Sequence, residues 1–453
     1  MELIFRAYDI RGIYNKDISP ETMYKIGLAV GNFTQFNLKG QNVAVGSDIR
    51  MTSEVMRTSA ISGIIAAGLH VTDLGTAPFG EVLFGGWQLG VDVTAFITAS
   101  HLPPDWSGLK LYLGEGEGFP EEYLLDLKKR VMTDSFERAG WDDLKPLKTE
   151  TFNSRYIEFM TKKFKLEKPV SAVLDCGNGS ACLTAPMIFK NLGIETKELY
   201  CDVEPHFPNR ASEPTPESLK DLSELVVSSG SGFGIGFDGD GDRGVIVDDK
   251  GRVLTADIVG MIIGQNMLKS KKGVILANVE SSMGVEKVLS PLGGDVRRIR
   301  VGHTFLTLEA KRQKAMLGIE RSGHMVLPKY FLFDDAMLIP LKIAEILSQT
   351  DQTLSELVDA IPMYPKRTIN FHCEDEHKFS VIKTFQEQFT KTYENVNTLD
   401  GVRVDMADGW ILMRVSNTEP TIRLTVEAST EEALEKLAEK FQTILKEEID
   451  KYT

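Results

Sequence analysis

The sequence lacks the features of a secreted or membrane-spanning protein. It has four cysteines in 453 residues, with no C-x-x-C pair and no spacing typical of a disulfide-rich secreted domain, so we expect reduced thiols. Glu2 and Arg6 precede any apolar run, which argues against a signal peptide, and no apolar run is long enough to span a bilayer. We therefore expect a cytoplasmic protein. The cysteines are Cys176, Cys182, Cys201 and Cys373.

The sequence also lacks an excess of basic residues. Its 51 lysines and arginines stand against 65 aspartates and glutamates, which gives a formal net charge of −14. This balance argues against nucleic acid as a partner, because binding its phosphates requires clustered cations. An anionic ligand would have to be held by a few cations gathered at one place. With 42% hydrophobic and 26% charged residues, the chain is typical of a soluble globular protein of roughly three domains.

One pattern repeats three times along the first 361 residues. Each repeat begins with a short apolar run typical of a buried strand, continues through a helical stretch to a glycine-marked second strand, and reaches a third strand. A loop of unusual composition follows each third strand. Alternating strands and helices predict α/β domains, in which functional residues lie at strand ends. The three third strands are predicted at residues 91–98, 233–237 and 315–318.

The remainder of the chain has a different pattern. A strand at residues 368–373 is followed by a polar stretch and by two strands near 410–415 and 421–428. A last helix is predicted from Ser429, with Glu432 completing a capping box. The fold class is therefore three similar α/β domains with mixed sheets plus a smaller α+β domain. The predicted domains are residues 1–147, 148–249, 250–361 and 362–453.

The most specific signal is the acidic loop that follows the third strand of the second repeat, at residues 233–237. Asp238, Asp240 and Asp242 alternate with glycines, so the side chains can converge on a divalent cation that relieves their repulsion. Ligands that are all oxygen indicate Mg²⁺. An EF-hand is excluded because its sixth and twelfth positions hold Arg243 and Asp249 here. A dinucleotide-binding loop is excluded because a strand follows instead of a helix, which leaves a solvated acidic turn as the alternative.

Three further loops carry candidate binding residues. Residues 98–110 present Ser100 beside a histidine, followed by two prolines, a glycine and Lys110; an ordinary turn is the alternative. Residues 414–423 combine arginines, hydroxyls and an amide into a plausible phosphate-binding loop, with an exposed hairpin as the alternative. Residues 318–324 offer Glu320, Ser322 and His324 to sugar hydroxyls, although such a loop is often a surface turn. The N-terminal residues 5–12 pair cations with an aromatic ring, or simply start a strand.

Taken together and in this order, these stretches resemble the α-D-phosphohexomutases of the phosphomannomutase/phosphoglucomutase type. Residues 5–12 match the opening motif of that family, and Ser100 matches its phosphorylated serine. Leu102, Ser107, Ile319 and Arg321 depart from the usual residues of the family, which leaves the identity of the sugar open. The resemblance implies a heart-shaped, four-domain enzyme around a central cleft that interconverts 6-phospho and 1-phospho hexoses. It also implies Mg²⁺ as cofactor and glucose or mannose 1,6-bisphosphate as activator.

The resemblance assigns each candidate residue to a role. The metal ligands would be Ser100, Asp238, Asp240 and Asp242. The catalytic residues would be Ser100, Lys110, His303, Arg11 and Arg243. The substrate-binding residues would be Tyr8, Glu320, Ser322, His324, Arg414, Ser416, Asn417, Thr418 and Arg423. The sequence leaves Lys110 and His303 as alternative general bases, with Arg11 assisting.

Three functions remain open on the sequence alone. The first is a phosphomannomutase/phosphoglucomutase, which would transfer the phosphoryl group of Ser100 to a sugar hydroxyl and recover it after the bisphosphate turns over. The second is a phosphoglucosamine mutase with the same chemistry. The third is a non-catalytic sensor of sugar phosphates, against which the intact serine, acidic loop and phosphate loop argue. In each case the partner is a small-molecule sugar phosphate.

Overall fold

The computed structural model describes residues 4–6, 8–416 and 420–452. The first sheet has strand order β1-β5-β4-β2-β3-β6. Its strands are β1 (Ile10–Ile13), β2 (Asn42–Ser47), β3 (His70–Thr76), β4 (Val93–Ile97), β5 (Trp106–Leu113) and β6 (Lys148–Thr149). The helices around it are α1 (Pro20–Phe36), α2 (Ser53–Ala66), α3 (Phe79–Leu89), α4 (Glu121–Thr133) and α5 (Asn153–Lys163).

The second and third sheets have four strands each. The second consists of β7 (Ser171–Asp175), β8 (Glu195–Leu199), β9 (Phe233–Phe237) and β10 (Gly244–Asp248), with helices α6 (Ala185–Asn191) and α7 (Lys220–Ser229). The third consists of β11 (Gly273–Asn278), β12 (Gly294–Ile299), β13 (Leu317–Ile319) and β14 (Met325–Val326). Its helices are α8 (Ala256–Leu268), α9 (Gly284–Leu289), α10 (His303–Gln313), α11 (Leu338–Ser348) and α12 (Leu354–Asp359).

The three sheets share one arrangement of four strands. A central strand (β2, β7 or β11) pairs in parallel with the strand that follows it and with the third strand (β4, β9 or β13). The third strand then turns back into an antiparallel partner (β5, β10 or β14). Each unusual loop is therefore the turn at the carboxyl end of the third strand, where α/β sheets bind ligands. The prediction of three similar α/β domains with mixed sheets is confirmed.

The last sheet is antiparallel throughout, with strand order β15-β19-β18-β17-β16. Its strands are β15 (Lys366–His372), β16 (Val396–Asn397), β17 (Val402–Met406), β18 (Gly409–Val415) and β19 (Thr421–Ala428). The helices are α13 (Asp375–Thr392) and α14 (Glu431–Ile449). The predicted smaller α+β domain is thus present. The domain limits after residues 147, 249 and 361 stay predictions.

In the last domain one helix was not predicted and one sequence-based prediction is wrong. The expected polar stretch forms α13, because Val381, Phe385 and Phe389 recur at helical spacing and bury one face against the sheet. The expected capping box of α14 is absent. Thr430, not Ser429, has the extended backbone of an N-cap, and its hydroxyl accepts a hydrogen bond from the backbone N–H of Ala433 at 3.2 Å.

The largest apolar cluster does not follow the division of the chain into four sheets. One continuous cluster joins the first three domains and includes Phe96, Phe152, Ile235 and Ile319. The last domain has a core of its own, between its sheet and the helices α13 and α14. Among the described residues, no helix is both long enough and apolar enough to cross a membrane.

Candidate active site

Ser100 lies in the turn between β4 and β5 in a strained conformation. Its φ of 53° is in the left-handed region, which a non-glycine residue seldom occupies, and its side chain is fully buried. The backbone N–H donates to Thr98 Oγ1 at 2.8 Å, and Ser100 Oγ donates to Asp238 Oδ2 at 3.0 Å. The turn therefore aims one hydroxyl at the acidic loop of the second domain.

Arg50 holds the serine turn in place, a role that the sequence analysis did not predict. Its buried guanidinium donates to the carbonyl oxygens of Ser100 and Leu102 at 2.7 Å each, and to that of Pro103 at 2.5 Å. It also forms an ion pair of 3.0 Å with Asp48. Both residues follow β2, the sheet neighbour of β4, so the rule that strand ends meet at one edge could have identified them.

The acidic loop joins β9 to β10 and lies against the serine turn. Asp238 Oδ1 accepts from the backbone N–H groups of Gly241 at 3.0 Å and Arg243 at 3.1 Å. A Cβ on Gly239 would lie 2.7 Å from the carbonyl oxygen of Ser100, so this contact requires glycine. Glycine is also suited to Gly241, whose φ is 80°.

The three carboxylates of this loop form a buried cluster that fits a divalent cation. One oxygen from each of Asp238, Asp240 and Asp242 lies within 4.8 Å of the others. Oδ1 of Asp240 and Oδ1 of Asp242 are buried without a hydrogen-bond partner among the described residues, as expected of groups that bind a cation. Burial, followed by the charges of the other two carboxylates, raises the pKa of Asp238 well above its usual range. A hard cation such as Mg²⁺ would relieve both conditions.

Lys110, on β5, partly neutralises the same cluster. Its buried ammonium donates to Asp240 Oδ2 at 2.9 Å and also contacts Asp242. Burial alone would lower the pKa of Lys110, but the two carboxylates outweigh it and raise the pKa above its ordinary value. Lys110 is therefore held as a cation.

Further cations surround the serine turn. Burial, together with the charges of Arg243 and Arg11, lowers the pKa of His101 to about 2. Burial is the largest cause of this shift, and the smaller contributions of Arg243 and Arg11 indicate a positive field near His101, the neighbour of Ser100. Arg11 is paired with Asp9 at 2.5 Å, and Arg243 Nε donates to His324 Nε2 at 3.0 Å. A phosphoryl group on Ser100 would enter this field.

Two buried histidines stack on the far side of the acidic cluster. The rings of His303 and His324 lie 5.4 Å apart at 26°. Tyr112 Oη lies 2.9 Å from His303 Nδ1, whereas His303 Nε2 has no hydrogen-bond partner among the described residues. Asp334 Oδ2 lies 2.6 Å from His324 Nδ1. Burial is the main reason why the pKa of each histidine is lowered to about 4, so both are neutral at pH 7.

The predicted sugar loop joins β13 to β14. Ser322 Oγ donates to Glu320 Oε1 at 2.8 Å, and the backbone N–H of Glu320 donates to the carbonyl of His324 at 3.0 Å. Oε2 of Glu320 is buried and has no partner within the described part of the chain, and burial raises the pKa of this carboxyl. The loop therefore presents a free acceptor that a sugar hydroxyl could satisfy.

The last domain contributes Arg414 and Arg423, which face each other across β18 and β19. Arg414 lies 3.3 Å from both Glu280 and Asp400. Ser416 is buried, and its carbonyl accepts from Lys378 at 2.7 Å. Asn417 and Thr418 lie outside the described residues.

Tyr8 connects this end of the site to the histidines. Its hydroxyl donates to the carbonyl of Val301 at 2.8 Å, and its ring meets that of His303 edge-on at 6.2 Å. Burial and the charge of Asp400 raise the pKa of Tyr8 to about 12. A Cβ on Gly302 would lie 2.8 Å from this ring, which explains the glycine before His303.

Several of the predicted site residues contact one another, whereas the residues that hold them in place were not predicted. Direct contacts join Ser100 to Asp238, Lys110 to Asp240 and Asp242, and Arg243 to His324. Arg414 contacts none of these residues directly and belongs to a separate end of the site. Sequence reasoning missed five supporting residues. They are Asp48, Arg50, Thr98, Tyr112 and Asp334.

Four family models cover this arrangement domain by domain. They are phosphoglucomutase/phosphomannomutase alpha/beta/alpha domain I over residues 2–138, domain II over 154–251, domain III over 255–364 and the C-terminal domain over 369–444. The chain belongs to the phosphoglucomutase/phosphomannomutase family.

Members of this family match the chain over nearly its whole length. The phosphomannomutase/phosphoglucomutase of Pseudomonas putida is 34% identical over 447 residues, covering 98% of this chain and 95% of its own. A probable phosphoglucosamine mutase of Methanopyrus kandleri is 32% identical over 445 residues, covering 98% and 97%. The crystal structure of a phosphoglucomutase/phosphomannomutase family protein from Burkholderia thailandensis has a TM-score of 0.90 at 28% identity, covering 99% and 98%. The homologues are mutases, and this chain is an enzyme of the same kind, a hexose-phosphate mutase.

Proposed function

We propose that the protein interconverts hexose 6-phosphate and hexose 1-phosphate, with mannose or glucose as the sugar, through a phosphate carried on Ser100. The observation that carries this proposal is the contact of 3.0 Å between Ser100 Oγ and Asp238 Oδ2, inside a buried cluster of three carboxylates. A serine hydroxyl aimed at a metal site is what phosphoryl transfer requires, because that reaction depends on positioning and charge neutralisation.

The reaction conserves every phosphoryl group. In the first half, the phosphorus–oxygen bond to Ser100 breaks as a bond forms to the free hydroxyl of the bound monophosphate, and the hydroxyl proton passes to a base. The resulting glucose or mannose 1,6-bisphosphate reverses its orientation in the site and returns its other phosphoryl group to Ser100. Ser100, Asp238, Asp240 and Asp242 would hold Mg²⁺, which when bound stabilises negative charge on the transferring group.

We assign the base to His303 rather than Lys110. The ammonium of Lys110 is engaged by Asp240 and Asp242 and serves better as a cationic clamp. His303 is neutral, and its Nε2 has no hydrogen-bond partner among the described residues. This nitrogen can accept a proton when the ring proton is on Nδ1 and is donated to Tyr112 Oη. Arg11 and Arg243 add positive charge near the phosphate on Ser100.

We assign the two ends of the sugar phosphate to different loops. Glu320, Ser322 and His324 would contact the sugar hydroxyls. The loop containing Arg414, Ser416 and Arg423 would bind the phosphate that does not react, in both orientations of the intermediate. The substrate-binding residues would also include Tyr8, Asn417 and Thr418.

A phosphoglucosamine mutase is a second candidate, and the relative from Methanopyrus kandleri supports it as directly as the one from Pseudomonas putida supports the first. Ile319 and Arg321 both depart from the usual residues of the sugar loop, so this loop gives no ground for choosing between the two sugars. A non-catalytic sensor is a remote third candidate. The cytoplasmic location stays a prediction.

The direct experiment measures turnover of the 1-phosphates of mannose, glucose and glucosamine, each with Mg²⁺ and a catalytic amount of the matching 1,6-bisphosphate. We expect 6-phosphate to accumulate from at least one sugar, and the highest kcat/KM to identify the substrate. Binding of all three without turnover would support the sensor and contradict the mutase.

The pH dependence of kcat tests the assignment of the base. Only neutral His303 can accept a proton, and its pKa is lowered to about 4, so activity should persist as the pH falls from 8 to about 5 and decline below that. His303→Gln should lower kcat by at least about 100-fold, the lower limit for loss of a general base. Exposed His372 provides the control, since His372→Gln should leave the profile unchanged. An unaltered profile in His303→Gln would move the base elsewhere.

A further inference from the structure

Three of the four cysteines lie together in the second domain, outside the site described above. Cys176 directly follows β7 and is fully buried, whereas Cys182 and Cys201 are half-buried. Cys201 Sγ lies 3.3 Å from Cys176 Sγ. Cys182 also lies beside the Cys176 thiol. The fourth, Cys373, is buried in the core of the last domain.

Backbone hydrogen bonds hold Cys176 and Cys201 at a fixed separation. The N–H of Cys176 donates to the carbonyl of Leu199 at 3.2 Å, and the N–H of Asn178 donates to the carbonyl of Tyr200 at 2.8 Å. Asn178 Nδ2 also donates to the carbonyl of Asp202 at 2.8 Å. The segments that carry the two thiols are thus joined on both sides of the sulfur contact. To form a disulfide, the sulfurs would approach from 3.3 Å to about 2.05 Å.

We propose that Cys176 and Cys201 form a peroxide-sensitive pair whose oxidation to a disulfide slows the enzyme. Hydrogen peroxide or an organic hydroperoxide would first oxidise the half-buried Cys201 thiol to a sulfenic acid, with one peroxide oxygen leaving as water or an alcohol. The Cys176 sulfur then bonds to the Cys201 sulfur as the S–OH bond breaks. The Cys176 proton and the hydroxyl leave as a second water. Two thiols are oxidised and one peroxide is reduced.

The position of Cys176 connects this oxidation to the acidic loop. The preceding residue, Asp175, accepts from Arg210 Nε at 2.8 Å, and Arg210 Nη2 donates to the carbonyl of Phe237 at 2.7 Å. Phe237 directly precedes Asp238. On the other side, the N–H of Ser180 donates to the carbonyl of Gly239 at 2.9 Å. The segment 175–180 is therefore the support of the acidic loop.

A movement of Cys176 would be transmitted to the carboxylates through these contacts. Misplacement of a reacting group by 1 Å can cost about 100-fold in rate, so we expect the disulfide to lower kcat by about tenfold. The formation of the disulfide does not depend on the proposed function, whereas its effect on turnover does.

The experiment treats the reduced full-length protein with hydrogen peroxide, quenches it with an alkylating agent and maps the peptides without reduction. We expect a Cys176–Cys201 disulfide that dithiothreitol reverses, with activity lost and regained in parallel. Cys201→Ser should prevent the bond and protect activity from peroxide. Cys182→Ser and Cys373→Ser are the matched controls and should behave as the wild type.

Three results would overturn the proposal. The first is that, after peroxide treatment of the wild-type protein, the Cys176 and Cys201 peptides remain separate and alkylated. This result does not depend on the folding of any variant. The second is a disulfide from Cys176 to Cys182 instead of Cys201. The third is a Cys176–Cys201 disulfide that leaves turnover unchanged in a protein that is active before oxidation. The peptide map is read independently of turnover. A protein that is inactive before oxidation would therefore contradict the mutase assignment and not the Cys176–Cys201 disulfide.

Discussion

The two ends of the proposed active site differ in how the protein holds them in place. Ser100 and the acidic loop lie between domains that share one continuous apolar core, and buried Arg50 and Arg210 fix the backbone of both loops. Arg414 and Arg423 belong to a domain with a separate core. That domain meets the third through a small apolar cluster around Val279 and Trp410.

Polar contacts also attach the last domain to the third. Arg403 donates to the carbonyl of Val279 at 2.7 Å, and Glu427 Oε1 accepts from the N–H of Met283 at 2.8 Å and from Ser282 Oγ at 3.0 Å. Such contacts specify orientation more than they add stability. The buried contacts to loop backbone are therefore found where a phosphoryl group would be transferred. We expect that the end proposed to bind the other phosphate can be perturbed without disturbing the transfer site.

The largest effect should come from the acidic cluster. Asp240→Asn removes one charge from the three that would hold Mg²⁺, so kcat should fall by about 100-fold or more, which corresponds to about 2.7 kcal/mol in the barrier. The Mg²⁺ concentration for half-maximal rate should rise. Asp295→Asn, on the exposed strand β12, is the control and should leave both unchanged. Wild-type activity of Asp240→Asn at low Mg²⁺ would make the acidic loop merely structural.

The other end of the site should respond differently. Arg423→Ala should raise KM for the 1-phosphate and the 6-phosphate by similar factors of about ten to a hundred, because charge-assisted hydrogen bonds contribute about 1.5–3 kcal/mol. Arg367→Ala, on the neighbouring β15 and paired with Glu435, is the matched control. If only one isomer lost affinity, the loop would not bind phosphate in both orientations of the sugar. The proposed reorientation of the bisphosphate would then lose its support.

The support of the serine turn should show a smaller effect on rate alone. Arg50→Lys keeps the charge but loses the planar fork that reaches three carbonyls, so kcat should fall by about tenfold with KM little changed. Arg57→Lys alters an arginine on α2 that binds Asp73 and does not touch the turn. A rise in KM without a fall in kcat would show that Arg50 acts on binding instead.

The smallest effect should come from the junction of the last domain. Trp410→Phe removes one hydrogen bond to Glu427 and leaves space where the fully buried indole packed, so thermal unfolding should show a loss of about 1–3 kcal/mol. The kcat of the folded enzyme should stay within twofold of the wild type, in keeping with the separate cores. A large loss of kcat would show that the transfer site depends on this junction.

The sequence could predict the parts of the site that consist of local patterns. The acidic loop and the serine turn each follow a strand, and the repeat along the chain placed them at equivalent ends. Arg50 and Asp334 escaped prediction for different reasons. Arg50 reaches a turn 50 residues away. Asp334 follows His324 closely in sequence, but the two meet only because the chain turns back after β14, which no local pattern indicates. Helix α13 was not predicted because most of its residues are polar or charged, and its buried apolar residues form only a narrow stripe.

The central claim is that Ser100 carries the phosphoryl group. Intact-mass analysis after incubation with glucose 1,6-bisphosphate and Mg²⁺ tests it most directly. The account predicts one added phosphate in the wild type, located on Ser100 by peptide mapping, and none in Ser100→Ala, which should also lose turnover. A phosphate on another residue, or a Ser100→Ala variant that turns over at the wild-type rate, would contradict it.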